Sequence, residues 1–119
     1  MRDERGSVTI VTAGAIVIML VCTLGVADVG RVLIERSRAE MAADAAALAA
    51  AQDLALSEGD PAIDAAEFAD RNGAGLVACE CAVGSFDAVV TVQRSFSGLL
   101  LLPGTHSLRA SARAIVEVP

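Results

Sequence analysis

Cys79-Glu80-Cys81 is the only closely spaced pair of cysteines in this sequence of 119 residues. One intervening residue is short for a redox pair, which normally has two and sits at the start of a helix. A structural zinc site needs four ligands. Beyond these two thiols the obvious nitrogen ligand is the single His106, near a turn. Three readings of the pair fit its place on a strand: buried thiols, a local disulfide outside the cytoplasm, or a bridge between subunits. The third cysteine, Cys22, lies in an apolar run, and an odd number excludes a complete disulfide framework. Ser7, Ser37 and Ser111 have no histidine–acid partners suggested by spacing. Asp64, Glu67 and Asp70 read as the solvated face of a short helix. The glycines of "GAG" (73–75) follow a helix, whereas a phosphate loop precedes one. No catalytic, cofactor or metal residues are assigned, and the chain reads as non-enzymatic.

Composition narrows the partners. The formal net charge is −6, and Arg is the only strongly basic residue type, with no Lys. This argues against nucleic acid, whose phosphates require a basic face. Just over half the residues are hydrophobic, but only three, all Phe, are aromatic. Alanine and valine bury little area each, so a large independent core is not expected.

The elements around these residues begin with Val8–Ala27, twenty residues without a charge. At about 1.5 Å per residue such a helix spans roughly 30 Å, the thickness of a bilayer core. Ten Val, Ile or Leu side chains favour insertion over three Thr and two Gly. Gly25 and Ala27 also suit a signal-peptidase cut after Ala27, which would release a soluble binding module. Against that, the helical pattern continues. Asp28–Leu56 has one Gly, no Pro and many strong helix formers. Leu33, Met41, Leu48 and the alanines between them predict an apolar stripe, and Arg31–Glu35 and Arg36–Glu40 predict i,i+4 ion pairs. The simplest expectation is one helix over 7–58, its first half (8–27) in the membrane. Within "MAADAAALAAA", alanine is a good helix former, and Ala42, Ala43, Ala46 and Ala50 would also let another element approach closely. That element is either the chain's own distal part or another subunit.

Residues 60–119 predict a small α+β unit. Gly59 reads as the end of the long helix, Asp60 as an N-cap, Pro61 as the first helical position and Gly73 as a C′ cap. Ile63, Ala66 and Phe68 are expected to pack. Leu76–Val83 predicts a strand with Val77, Cys79, Cys81 and Val83 on one face. Ala88–Phe96 predicts a second strand. "SGLLLLPG" reads as an apolar link. In the last strand Leu108, Ala110, Ala112, Ala114, Val116 and Val118 share a face opposite Arg109, Ser111, Arg113 and Glu117. The fold class is α+β: a long N-terminal transmembrane helix, a short second helix and a three-stranded antiparallel sheet.

Taken together, "RDERGSVTI" before the apolar run, "RVLIERSRAEMAADAAALAAA", "NGAGLVAC" and the terminal "LRASARA" resemble the short actinobacterial TadE/TadG-like proteins. These are minor pilin-like (pseudopilin) subunits linked to tight-adherence (Flp) pilus assembly. The resemblance implies a pilin-like fold and a membrane-inserted precursor. It also implies a non-enzymatic role in a type IV-like pilus or related secretion system. The implied partners are the lipid bilayer, other pilin-like subunits and the assembly machinery, with a prepilin peptidase that cuts between Gly6 and Ser7. Residues 1–6 then form a cytoplasmic leader and residues 28–119 lie outside the cytoplasm. Arg2 and Arg5 precede the run while Arg31, Arg36 and Arg38 follow it, so charge counting does not favour this orientation and the resemblance supplies it. Val11 stands where prepilins carry Glu at the fifth mature position.

Overall fold

Helix-forming composition runs unbroken from the N-terminal charges to Leu56, and in the computed structural model it forms one helix. The structure describes residues 4–117, the Glu4 side chain excepted. Residues 1–3 of the leader, including Arg2, and Val118 lie outside the described residues. Helix α1 (Glu4–Leu56) has 53 residues, about 80 Å at 1.5 Å each, and sets the length of a molecule measuring 88 × 27 × 16 Å. An 18-residue stretch of α1 has mean hydropathy 2.5, and none of it is buried against the rest of the chain.

The helix ends two residues before the expected residue 58. Ser57 takes the left-handed conformation (φ 51°), and the Glu58 N–H donates to the Asp53 carbonyl at 3.3 Å. Together these make a Schellman-type cap with serine at the position usually held by glycine. Gly59 (φ 72°) then turns the chain. Asp60 caps α2 (Pro61–Arg71), its carboxylate accepting from the Ala62 N–H at 3.0 Å. Gly73 (φ 78°) closes α2 in the expected way, and the Ala74 N–H donates to the Ala69 carbonyl at 2.9 Å.

Three antiparallel strands follow in the order β1 (Gly75–Glu80), β2 (Asp87–Ser97), β3 (Thr105–Ile115). In β2, Ala88, Val90, Val92 and Phe96 face inward. Opposite them in β3 stand Ala114, Ala112, Ala110 and His106. Apart from Val89 and Ile115 the outward partners are polar, with Thr91 and Ser111 hydroxyls 2.8 Å apart. The β3 alternation matches expectation from Leu108 to Ala114, although the strand stops at Ile115. In β1 a bulge between Leu76 and Ala78 breaks the expected alternation. Leu76 and Cys79 therefore lean against the core while Val77 is exposed. The strand also stops at Glu80, short of the expected Val83, which lies exposed in the turn that follows. A one-residue slip in a period of two reverses which face a side chain takes.

The two helices cover one sheet face, and the core between them is made of small side chains. Ala42, Ala43, Ala46, Ala47 and Ala50 of α1 meet Ala65 and Ala69 of α2 and Val90 and Val92 of β2. The C-terminal half of α1 is thus packed together with α2 and the sheet. Two expectations are corrected here. On α1 the alanines are buried, while Leu33, Met41 and Leu48 point away from the core and are 58–65% exposed. On α2 the buried residues are Pro61, Ala65 and Ala69, and Ile63 and Phe68 are exposed. Both corrections share a cause: close approach of helix to sheet selects the smallest side chains, not the most hydrophobic ones.

Candidate functional site

The features of α1 that could act on a partner lie on its unburied surfaces. Gly6 and Ser7 sit in its first two turns, exposed, with no atom within 4 Å of a Cβ built on Gly6. Val11 is exposed one turn further on. From Val8 to Leu24 every residue is exposed. Beyond Asp28, Ile34, Met41 and Leu48 recur at intervals of seven, the spacing that lines side chains along a helix seam. All three are more than half exposed. They lie opposite Ala39, Ala42, Ala46 and Ala50, which are covered by the chain's own sheet and α2.

Buried charge holds the distal unit on the helix. Glu35 is 5% exposed. Its expected partner Arg31 lies elsewhere, against Gly98. Instead Arg94 of β2 donates from Nε to Glu35 Oε2 at 2.5 Å and from Nη1 to the Gly73 carbonyl at 2.7 Å. Arg38 reaches Glu35 Oε1 at 3.2 Å. One guanidinium therefore ties together α1, β2 and the α2–β1 turn. Its hydrogen bond holds the Glu35 carboxyl below the ordinary range, assisted by the charges of Arg94, Arg38 and Arg31 and opposed by burial. The Arg36–Glu40 pair forms as expected, at 3.0 Å and exposed, where such pairs contribute little.

At the far end of α1, acids crowd together. Asp53 Oδ2 is enclosed without a hydrogen-bond partner. Burial, then the neighbouring Asp64 carboxyl, then Asp60 and Glu58, all raise its pKa. A raised carboxyl pKa means that the folded chain holds this proton more tightly than the unfolded chain. The charged form is thus a liability of the fold that grows as pH rises from the ordinary carboxylate range through the raised value. Asp53→Asn is expected to increase stability at neutral pH, with the gain vanishing in acid. Thermal unfolding followed by circular dichroism at both pH values checks this, and a gain as large in acid as at neutrality would refute it. Among the described residues no three His, Cys, Asp or Glu side chains are arranged to hold a metal ion.

Cys79 and Cys81 lie at the end of β1 with their sulfurs in bonding contact and their Cα atoms 5.3 Å apart. That separation falls within the range a disulfide permits. Cys22 is on the exposed apolar part of α1.

Residues 6–53 match the family model described as putative Flp pilus-assembly TadE/G-like. The long helix is TadE/G-like. The matched stretch starts at Gly6 and stops four residues before Ser57 caps α1, so it contains the exposed apolar run, the buried alanines and the outward seam. It contains none of α2 or the sheet. No curated protein and no solved structure matches the chain significantly. The TadE/G-like match supports a role related to Flp pilus assembly. Sequence reading missed the Glu35–Arg94 clamp. Its signal was present, since Arg94 occupies an inward position of β2 between Val92 and Phe96, where a charge requires a partner.

Proposed function

We propose that this chain is a non-enzymatic, membrane-anchored, pilin-like subunit for assembly of an Flp-type pilus or related secretion system. Residues 8–27 span the bilayer and the distal unit lies outside the cytoplasm. The observation that carries this reading is the coincidence of the TadE/G-like match with a helix whose uncharged segment is exposed throughout Val8–Leu24. Such a segment in water would expose twenty mostly apolar residues, whereas in lipid it needs no cover. The Ile34–Met41–Leu48 seam is the surface for a neighbouring subunit's helix, because the alanines are already occupied.

Intact mass of the protein from its native membrane tests the processing. Loss of residues 1–6 is the expected result and matches a prepilin peptidase cut between Gly6 and Ser7. An uncut chain retains the anchor but removes the peptidase from the list of partners. Loss of residues 1–27 would overturn the anchored reading in favour of a secreted module. The same sample reads the cysteines: we expect Cys79 and Cys81 to take up alkylating reagent only after reduction, as a disulfide outside the cytoplasm would. Alkylation of both without reductant refutes that pairing.

A further inference from the structure

The β2–β3 connection is short of solvent-loving side chains. Gly98–Gly104 reads "GLLLLPG", and after buried Leu99 come Leu100, Leu101 and Leu102, exposed by 60, 44 and 61%. Loops normally expose polar residues, so three consecutive exposed leucines call for an apolar environment.

Their position supplies one. β2 runs back along α1 toward the apolar run and delivers this loop to the helix at Gly25–Asp28. A Cβ built on Gly25 would be 3.7 Å from Leu101 Cδ1. Gly25 is two residues inside the uncharged segment and Asp28 is the first charge beyond it. The leucines therefore stand beside the outer boundary of the segment assigned to the bilayer.

The backbone is prepared for the same environment. Polar groups that face lipid must be satisfied within the protein. The N–H groups of Leu100 and Leu101 both donate to Asp28, at 2.7 and 2.8 Å. The Leu102 carbonyl accepts from His106 Nε2 at 2.9 Å, and Pro103 has no N–H. Both carboxylate oxygens of Asp28 are thereby occupied. Arg31, against Gly98, lies one turn further out, at the level where a guanidinium can reach lipid phosphate.

We propose that the Leu100–Leu102 loop inserts into the outer interface of the lipid bilayer. It makes a second membrane contact beside α1 and fixes the height and tilt of the distal unit. This rests on the bilayer-spanning reading of residues 8–27. Lipid is favoured over a second protein chain because the leucines form a protruding loop continuous with an uncovered apolar helix.

The native chain has neither Trp nor Tyr, so single tryptophans report without background. Full-length Leu102→Trp and, independently, Leu100→Trp are placed one chain per lipid nanodisc. Val17→Trp serves as the mid-span marker and Phe86→Trp as the distal marker. Nitroxide-labelled lipids of shallow or deep label position and aqueous iodide serve as quenchers. The expected result is that the shallow lipid label removes most of the emission of both loop variants. The mid-span marker is then quenched by the deep label and the distal marker by iodide. If the mid-span marker is lipid-quenched while both loop variants are quenched by iodide as strongly as the distal marker, the loop stands in water: the loop proposal fails and the anchor survives. Shielding of the loop from both lipid label and iodide means protein covers it, which also overturns the proposal. A mid-span marker that no lipid label quenches overturns the anchor and the loop together.

Discussion

Arg94→Met is expected to lower the free energy of opening the distal unit by about 3 kcal/mol, the usual cost of leaving a buried charge without its partner. The substitution retains the apolar bulk of the side chain but strands Glu35, which is 5% exposed, with only a 3.2 Å contact from half-exposed Arg38. It also frees the Gly73 carbonyl. Amide exchange of Val90 and Val92 in the full chain reads the effect, because these central β2 residues exchange only through large openings. Adding Glu35→Gln should recover part of the loss, since the stranded charge is then gone. Arg94→Lys should not rescue fully: one ammonium cannot reproduce the two-directional reach of Nε and Nη1. If Arg94→Met costs no more than an exposed pair such as Arg36–Glu40, the clamp is not holding the unit.

The clamp also fixes a pH dependence. The Glu35 carboxyl is held below its unfolded value. Its contribution is therefore fully present above the unfolded pKa and is lost as pH falls through the folded one. Asp53 behaves in the opposite sense, its carboxyl being raised. The wild-type chain thus loses the Glu35 contribution in acid while shedding the Asp53 penalty. Arg94→Met should flatten the first limb, and Asp53→Asn the second.

Local signals carry most of the architecture. The uncharged run, the Asp60 and Gly73 caps and the alternation of β3 are each legible because neighbouring residues decide them. What escapes a sequence reading depends on the third dimension. The β1 bulge re-aims Val77 through pairing with β2, and nothing in "LVACECAV" announces it. Ser57 ends α1 in a conformation that glycine two residues later would adopt more readily. Glu35 has an arginine four residues before it and another three after it, but its shortest bond is with Arg94, 59 residues away. The buried face of α1 departs from expectation because Leu33, Met41 and Leu48 are more hydrophobic than any alanine. In a helix apolar on several faces, hydrophobicity does not select the buried face. The distance to the opposing sheet does.

That distance makes Ala46→Leu the sharpest test of the fold. Ala46 is fully buried, among Ala42, Ala43, Ala50, Val90 and Val92. Overpacking a core costs typically about 1–3 kcal/mol when neighbours can change rotamer. Here the surrounding alanines have no rotamers to change, so the backbones of α1 and the sheet must separate. We expect a loss at the upper end, about 3 kcal/mol, read as exchange at Val90 and as earlier thermal unfolding. Leu48→Ala provides the contrast. It removes a side chain that is 65% exposed, so the isolated fold should change by no more than about 0.5 kcal/mol. Subunit association through the Ile34–Met41–Leu48 seam should nevertheless weaken, as copurification from the native membrane would show. Alanine damage therefore appears in the fold and leucine damage in the assembly. If Ala46→Leu left folding intact and abolished only association, the alanine face would belong to a partner and the division of labour around α1 would be reversed.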